Sequence, residues 1–285
     1  MRIQLFVFGI AVTALLAGTT HGGAMTPRIN VMSFNIRYNN PADGPDAWPH
    51  RAEWVAAIMG KQSDIVGLQE VRKEQLEDLQ KSLPEFEFYG VGREDGKEGG
   101  EYVPVAWKTD RFTALDQGYF WLSETPNEPS KSWDSSLKRI TTWVRLRDNA
   151  TKKSLLFVNT HFDHRGAVAR AKSAELIQQW IAKNRGKDAV LLTGDFNTLP
   201  DSEPYQLLLA GDDPLVDARL AVEKSQGPAS TWNGFKEIVP GRRIDFIFAA
   251  GPLKLTHFQT IDEQRDGRFP SDHCPIVARV QLGGE

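Results

Sequence analysis

Four short apolar runs in this chain each end directly in a polar residue that can act as an acid, a base or a metal ligand. The runs are rich in Val, Ile, Leu and Phe, which predicts buried β-strands. Segments with helical periodicity lie between them, which indicates sheets covered by helices. In layered α/β folds the carboxyl ends of strands form the crevice where ligands bind. The sequence therefore predicts an α/β fold that gathers four residues at one edge: Asn35, Glu70, His161 and Asp195.

The spacing of apolar residues predicts the remaining elements. Apolar residues recur three and four apart in four segments, which predicts helices over 51–59, 74–83, 167–183 and 203–209. Alternating or continuous apolar runs predict strands over 28–36, 65–68, 86–91, 103–107, 140–146, 155–160, 190–193, 244–249, 253–260 and 276–281. The Gly-rich segment 92–100 predicts a mobile loop, and Asp148-Asn149 predicts the turn of a hairpin. No linker interrupts the pattern, so we expect one domain over residues 26–285.

The N-terminus has the pattern of a secretory signal peptide over residues 1–24. Arg2 precedes an apolar, uncharged run from Ile3 to Leu16, and small residues follow up to Ala24. The alternative is a membrane anchor, but this run is shorter than the roughly 20 residues that a spanning helix needs. Cys274 is the only cysteine, which excludes an intramolecular disulfide. We expect a periplasmic or secreted protein with no membrane anchor after cleavage.

The composition is that of a globular protein without bulk positive charge. Hydrophobic residues make up 40% and charged residues 25%, and the formal net charge is −3. This balance excludes a nucleic-acid binder that relies on a large basic surface. It leaves open an enzyme that meets phosphate through a metal ion and a few local cations.

Further polar residues add acids to the predicted strand ends. Asp245 interrupts an apolar strand, and a buried carboxylate is costly unless it pairs with a base or a metal. Each residue alone also fits a structural role, such as a turn cap or a satisfied core histidine. Together the oxygen-bearing side chains favour Mg²⁺, Mn²⁺ or Ca²⁺ over zinc. The set comprises Asn35, Glu70, Asp195, Asn197, Asp245 and Asp272.

Several common catalytic motifs are missing from the sequence. It contains no Gly-x-Ser-x-Gly elbow and no His-Glu-x-x-His, which disfavours a serine hydrolase of that type and a zinc protease. It also contains no phosphate-binding loop and no Gly-x-Gly-x-x-Gly, which disfavours nucleotide-driven and dinucleotide-dependent enzymes.

Six short motifs, in order along the chain, resemble those of the endonuclease/exonuclease/phosphatase superfamily. That resemblance implies a four-layer α/β/β/α sandwich of two mixed β-sheets flanked by helices. It also implies metal-dependent phosphoester hydrolysis, in which water attacks phosphorus. Four further segments, 43–48, 100–102, 120–126 and 139–143, resemble an exported bacterial branch. The six motifs are SFNIR (33–37), LQEV (68–71), NTHFD (159–163), GDFN (194–197), RIDF (243–246) and SDH (271–273).

The resemblance implies a metal site and names its residues. By motif position, Glu70 would hold Mg²⁺ or Mn²⁺, and Asn35 would be a second ligand or a group behind the ligands. Asp272 would lie close to the metal. A divalent cation there would neutralise charge that grows on the phosphate in the transition state. Whether one metal or two act stays open.

The resemblance also implies roles in proton transfer and phosphate binding. Asp195 would orient or deprotonate the attacking water, and Asn197 would steady that water or the phosphate. His161 would donate to a phosphate oxygen. Asp245 would pair with His273, which would make His273 either a general base or a cationic phosphate clamp.

The sequence says least about the substrate. Arg139 is a candidate phosphate contact, and Trp232 could stack on a base or sugar, whereas Trp143 is expected in the core. We expect a phosphodiesterase or nuclease acting on a nucleotide, a short oligonucleotide or a phosphorylated small molecule. The alternatives are a phosphomonoesterase of inositol-phosphate or sugar-phosphate type, and a catalytically silent exported binding module. We expect a monomer that forms no stable nucleic-acid complex.

Overall fold

The computed structural model describes residues 27–211 and 214–283, together with the isolated positions 1 and 4. The predicted signal peptide, residues 1–24, lies outside the described residues apart from those two positions. Within the described ranges, every helix is too short or too polar to span a bilayer.

The elements alternate between strands and helices along the chain. The helices are α1 (Ala52–Gln62), α2 (Lys73–Ser82), α3 (Ala167–Asn184) and α4 (Glu203–Leu208), and two 3₁₀ turns cover Pro41–Asp46 and Trp48–His50. The strands are β1 (Ile29–Asn35), β2 (Ile65–Gln69), β3 (Phe86–Tyr89), β4 (Val105–Lys108), β5 (Phe112–Trp121), β6 (Ile140–Asp148), β7 (Ser154–His161), β8 (Ala189–Asp195), β9 (Val216–Asp217), β10 (Ser225–Gln226), β11 (Asp245–Ala250), β12 (Leu253–Thr260) and β13 (Ile276–Leu282).

These strands form two mixed sheets that pack face to face. Sheet 1 has the order β10-β12-β13-β1-β2-β4-β3, and sheet 2 has the order β5-β6-β7-β8-β11-β9. At the centre of each sheet one pair is parallel, β1 with β2 and β7 with β8. Helices α1 and α2 cover the outer face of sheet 1, and α3 and α4 cover that of sheet 2. The four-layer α/β/β/α sandwich is therefore confirmed.

The alternation of side chains along a strand explains the layering. On β1, Val31 points into the core between the sheets, while Met32 and Phe34 pack against the helices on the outer face. Both faces of the central strands are buried, which is why their sequences read as nearly continuous apolar runs.

A buried amide, the side chain of Asn159 on β7, joins the two sheets. Its Nδ2 donates to the carbonyl oxygens of Leu68 (2.7 Å) and Pro104 (3.0 Å) in the layer of sheet 1. Its Oδ1 accepts from Gln69 Nε2 (2.7 Å) and from Thr193 Oγ1 (3.0 Å). Because Gln69, Asn159 and Thr193 lie one or two residues before candidate site residues, this network sets the register of the two halves of the site.

The predicted elements are present, with shifts of a few residues at their ends, and one long strand is missing from the predictions. Strand β5 lies at the edge of sheet 2, is exposed along most of its middle, and has a bulge between Ala114 and Asp116. It therefore lacks the apolar alternation that marks a strand. The segment 92–100 is a loop, but four backbone hydrogen bonds close it, donated by Gly92, Arg93, Glu94 and Gly96.

Candidate active site

The four predicted strand-end residues meet at one edge of the sandwich. β1 ends at Asn35, Glu70 follows β2, β7 ends at His161, and β8 ends at Asp195. Strand β11 runs antiparallel to β8 and begins there, with Asp245 opposite Asp195. The site therefore draws on both sheets.

These residues surround a cavity of about 510 Å³. Seven of the nine predicted site residues line it, while Asn35 and Asp245 are buried directly behind it. Trp232 lines the cavity. Trp143, expected in the core, is partly buried and packs on Trp180 against the core under α3. The cavity is lined by Arg37, Tyr38, Glu70, Arg93, Glu101, Leu137, Arg139, His161, His164, Asp195, Asn197, Trp232, Arg242, Ile244, Asp272 and His273.

Asn35 brings two carboxylates together across the sheets. Its Nδ2 donates to Glu70 Oε1 (3.1 Å) and to Asp195 Oδ2 (3.0 Å), and its Oδ1 accepts from the backbone of Arg37 (3.0 Å). Of the two roles that the sequence left open for Asn35, this geometry favours the group behind the ligands. Glu70 adopts φ 61°, a left-handed conformation that costs a non-glycine residue roughly 1–3 kcal/mol. Such strain at a carboxylate in a cavity is typical of a functional position.

The donor set fits a hard divalent cation. One ligand atom each from Glu70, Asp195 and His273 lie within 4.8 Å of one another. Two carboxylates this close repel each other unless a cation or protons lie between them. Oxygen donors of this kind suit Mg²⁺ or Mn²⁺. Asp272 also lines the cavity, with Oδ2 3.9 Å from Arg37 Nη1, and is available beside the pair.

His273 belongs geometrically to this cluster, but its charge argues against a ligand role. Its Nδ1 lies 2.9 Å from Asp245 Oδ2, and its Nε2 lies 3.8 Å from Asp195 Oδ2. Burial alone would lower the pKa of His273, but the charges of Asp245 and Asp195 outweigh burial and hold that pKa well above its ordinary value. A protonated imidazole has no lone pair for a metal and donates from both nitrogens. The arrangement therefore favours the cationic phosphate clamp over the general base.

The same buried charges also affect the pKa of Asp195. Burial, and next the charge of Asp245, raise the pKa of Asp195 to about 7. A bound cation opposes both effects, because it favours the ionised carboxylate. Cation binding and ionisation of Asp195 are therefore linked.

His161 is the neutral histidine of the site. Burial lowers the pKa of His161, and the positive charges of Arg139 and Arg93 lower it further. Its Nε2 lies 3.1 Å from Asn197 Nδ2 and 3.4 Å from Asp195 Oδ2. In the tautomer whose Nε2 accepts from Asn197, the ring proton is on Nδ1. Donation from His161 to phosphate stays a prediction.

Arg139 is a buried guanidinium with unused donors. Its exposure is 3%, its Nη2 lies 3.1 Å from His164 Nδ1, and its Nε lies 3.6 Å from Asp163 Oδ2. Among the described residues, no acceptor lies within hydrogen-bonding distance of Nε or Nη1. Buried donors are nearly always satisfied, so these two nitrogens indicate an anionic ligand in the cavity.

Sequence reasoning missed four charged residues that line the cavity: Arg37, Arg93, Glu101 and Arg242. Arg37 is hydrogen-bonded to Asp43 at 3.0 and 3.1 Å, and Arg93 is held by Glu101 at 2.6 and 3.0 Å. Arg37 and Glu101 lie inside quoted motifs, which was the available signal. Arg93 lies in the Gly-rich loop, where nothing in the sequence marks it.

Comparison with known proteins agrees with this arrangement. Residues 32–273 match the model of the Endonuclease/Exonuclease/phosphatase family. The chain belongs to this family. Family members are phosphoester hydrolases, and the matched range contains all nine predicted site residues.

Solved structures of the family superpose closely on this chain. A family member from Bacteroides vulgatus is 36% identical, with a TM-score of 0.86 over 90% of this chain and 99% of that chain. The mannosyl-6-phosphatase of Bacteroides thetaiotaomicron VPI-5482 is 33% identical, with a TM-score of 0.82 over 89% of this chain and 100% of that chain. Among curated proteins, L388 of Acanthamoeba polyphaga mimivirus is 26% identical over 160 residues, which cover 53% of this chain. The chain spans 59% of the length of L388 and 28% of that of R895 from the same virus.

Proposed function

We propose that this chain is a divalent-cation-dependent hydrolase that removes the phosphoryl group from a compact phosphomonoester. The observation that carries the proposal is Arg139, which shares a cavity with the carboxylates of Glu70 and Asp195 and whose buried Nε and Nη1 make no hydrogen bond with the described residues. Paired carboxylates attract a hard cation, and a guanidinium binds an anion. A phosphate group would suit both, because its oxygens are ligands for a hard cation and acceptors for a guanidinium.

Each residue of the site would have a distinct role in hydrolysis. Glu70 would hold the cation, which when bound supplies positive charge against the phosphoryl oxygens and acidifies water. Asp195 accepts the proton of the attacking water or orients it, and Asn197 steadies it. The His273 imidazolium and Arg139 donate to the phosphoryl oxygens, where negative charge grows.

The size of the cavity and one relative support a monoester. A volume of about 510 Å³ suits a small molecule rather than a long polymer. The 33% identical Bacteroides structure is named for phosphatase action on a 6-phosphorylated mannosyl group. A sugar phosphate, which the sequence left as an alternative to phosphodiesters and short nucleic acids, is therefore the substrate class we favour.

A panel of phosphoesters tests this proposal. Phosphate release is measured from mannose 6-phosphate, p-nitrophenyl phosphate and a dinucleotide, each with Mg²⁺, Mn²⁺ or EDTA. We expect the monoesters to be cleaved only with a cation, and Asp195→Asn to slow the reaction by about 10²–10⁴-fold. Asp201→Asn changes an exposed carboxylate nearby and is the matched control. Preferential cleavage of the dinucleotide would return the assignment to a phosphodiesterase, and no turnover of any ester would favour the silent binding module.

We also propose that the chain acts outside the cytoplasm as a monomer. The support is the charged, apolar and small-residue order of residues 2–24. N-terminal sequencing of protein from a periplasmic fraction should begin at Met25, and size-exclusion chromatography should give the monomer mass. An intact N-terminus in a membrane fraction would instead indicate an anchor.

A further inference from the structure

Residues 91–102 contribute Arg93 and Glu101 to the cavity lining. This segment joins two strands of sheet 1 but is hydrogen-bonded to residues of, and next to, sheet 2. Trp121 Nε1, at the end of β5, donates to the carbonyl oxygen of Arg93 at 2.8 Å. Lys138 Nζ donates to the carbonyl oxygen of Glu94 at 2.8 Å and lies 3.4 Å from its carboxylate. Gly96 lies so close to Trp121 that a Cβ there would be 2.8 Å from the ring. Residues 91–102, called the wall below, are therefore held against both sheets beside the cavity.

The side chain of Arg93 lies on the cavity side of this wall. It is 7% exposed, and its two η nitrogens donate to Glu101 Oε2 (2.6 Å) and Oε1 (3.0 Å). This fork uses one hydrogen on each η nitrogen and leaves the other two available. Its Nε has no hydrogen-bond partner among the described residues. Glu101 therefore holds the guanidinium of Arg93 in place but accepts from only some of the N–H groups of Arg93.

Arg93 and Arg139 form a pair of guanidinium groups in the cavity. Both line it, and both are nine-tenths buried or more. Burial and the positive charge of Arg93 lower the pKa of Arg139, while the carboxylates of Glu101 and Asp163 act in the opposite direction. Each guanidinium is paired with a carboxylate, Arg93 with Glu101 and Arg139 with Asp163. Both still have buried nitrogens without a hydrogen-bond partner among the described residues, and these favour a ligand with several acceptor oxygens.

We infer that this wall recognises the terminal phosphoryl group of a monoester, and that Arg93 is the residue that separates monoesters from diesters. A phosphomonoester carries nearly two negative charges at neutral pH, because its second pKa is about 6, and it has three free oxygens. A diester carries one charge, and its second ester group would have to occupy the space against the wall. Since this inference rests on the proposed function, the substrates are chosen so that the two can fail separately.

The experiment compares p-nitrophenyl phosphate with methyl p-nitrophenyl phosphate, which differs by one methyl ester. Arg93→Met removes the charge and keeps most of the length. We expect it to lower kcat/KM for the monoester about 10- to 100-fold, as for loss of charged hydrogen bonds. We expect kcat/KM for the diester to stay within about threefold of the wild-type value. Arg93→Lys keeps the charge and should restore part of the monoester activity. Lys97→Met removes an exposed charge from the same segment and should change neither rate.

A second variant tests whether a loss of activity comes from misfolding. Arg93→Met leaves Glu101 buried without its partner, so the double variant Arg93→Met/Glu101→Gln, which leaves no unpaired charge, is measured in parallel. An equal fall for both esters, or no fall for either, would overturn the inference while the proposed function stands.

A binding measurement separates the inference from catalysis. Inorganic phosphate and dimethyl phosphate are titrated calorimetrically into the wild type and the Arg93→Met protein with Mg²⁺ present. We expect the wild type to prefer inorganic phosphate and the variant to lose at least tenfold of that preference. If preference is lost as expected but no ester is hydrolysed, only the proposed function fails. A preference that Arg93→Met does not change overturns the inference.

Discussion

Replacing Asn159 by Leu removes a buried amide that joins the two sheets while roughly keeping its volume. Four hydrogen bonds are lost, and each contributes a net of about 0.5–1.5 kcal/mol. Two of the former partners keep another hydrogen bond. Gln69 Nε2 also donates to the carbonyl oxygen of Gly67 (3.2 Å), and Thr193 Oγ1 also donates to the carbonyl oxygen of Val158 (3.3 Å). The free energy of unfolding should therefore fall by the lower part of the sum, about 2–4 kcal/mol.

Urea denaturation followed by circular dichroism measures this loss, with the slope against urea expected to stay unchanged. Thr142→Val is the matched control: Thr142 faces Asn159 in the β6–β7 ladder, and its buried Oγ1 has no hydrogen-bond partner among the described residues. Removing that hydroxyl should change stability by less than about 1 kcal/mol. A loss no larger for Asn159→Leu than for Thr142→Val would refute the role of the amide in joining the sheets.

Further outcomes follow from the charges of the site. Asp195→Asn should lower kcat by about 10²–10⁴-fold with unchanged circular dichroism, and a loss below tenfold would assign the water to another residue. Asp245→Asn removes the charge that raises the pKa of His273, so the high-pH limb of the rate profile should move to lower pH; additive losses in a cycle with His273→Ala would show that the pair does not act as a unit. Because the pKa of Asp195 is about 7 without a cation, protons should compete with Mg²⁺, and titrations should show weaker binding as pH falls below 7; pH-independent affinity contradicts this link. Arg139→Ala should raise KM more than Lys152→Ala, an exposed control, and equal effects would remove Arg139 from phosphate binding.

The sequence predicts the layers of this fold well because burial leaves a direct pattern. Central strands such as β8 are apolar on both faces, and α3 has an apolar stripe, so both are visible without a structure. Strand β5 is not, because an exposed edge strand needs no apolar alternation. The segment 92–100 looks mobile from its glycines, and only its contacts with Trp121 and Lys138 show that it is fastened.

The candidate site likewise contains some residues that the sequence predicts and others that it does not. Residues at strand ends, such as Glu70 and His161, are predictable because the strand fixes where they point. The roles of Asn35 and His273 depend on distances between the two sheets, which no pattern along the chain encodes. Arg93 comes from a loop whose position is set by tertiary contacts, so sequence spacing carries no information about it.

Phosphate release as a function of free Mg²⁺ concentration, from metal-stripped protein, decides whether these residues form a metal-dependent hydrolytic site. The wild type should be inactive in EDTA and recover on addition of Mg²⁺ or Mn²⁺. Glu70→Gln should need at least about tenfold more cation, since it loses one charged ligand while keeping its shape. Glu77→Gln, an exposed acid on α2, should behave as the wild type. Full activity in verified metal-free protein, or identical curves for the two variants, would contradict the site described for Glu70 and Asp195.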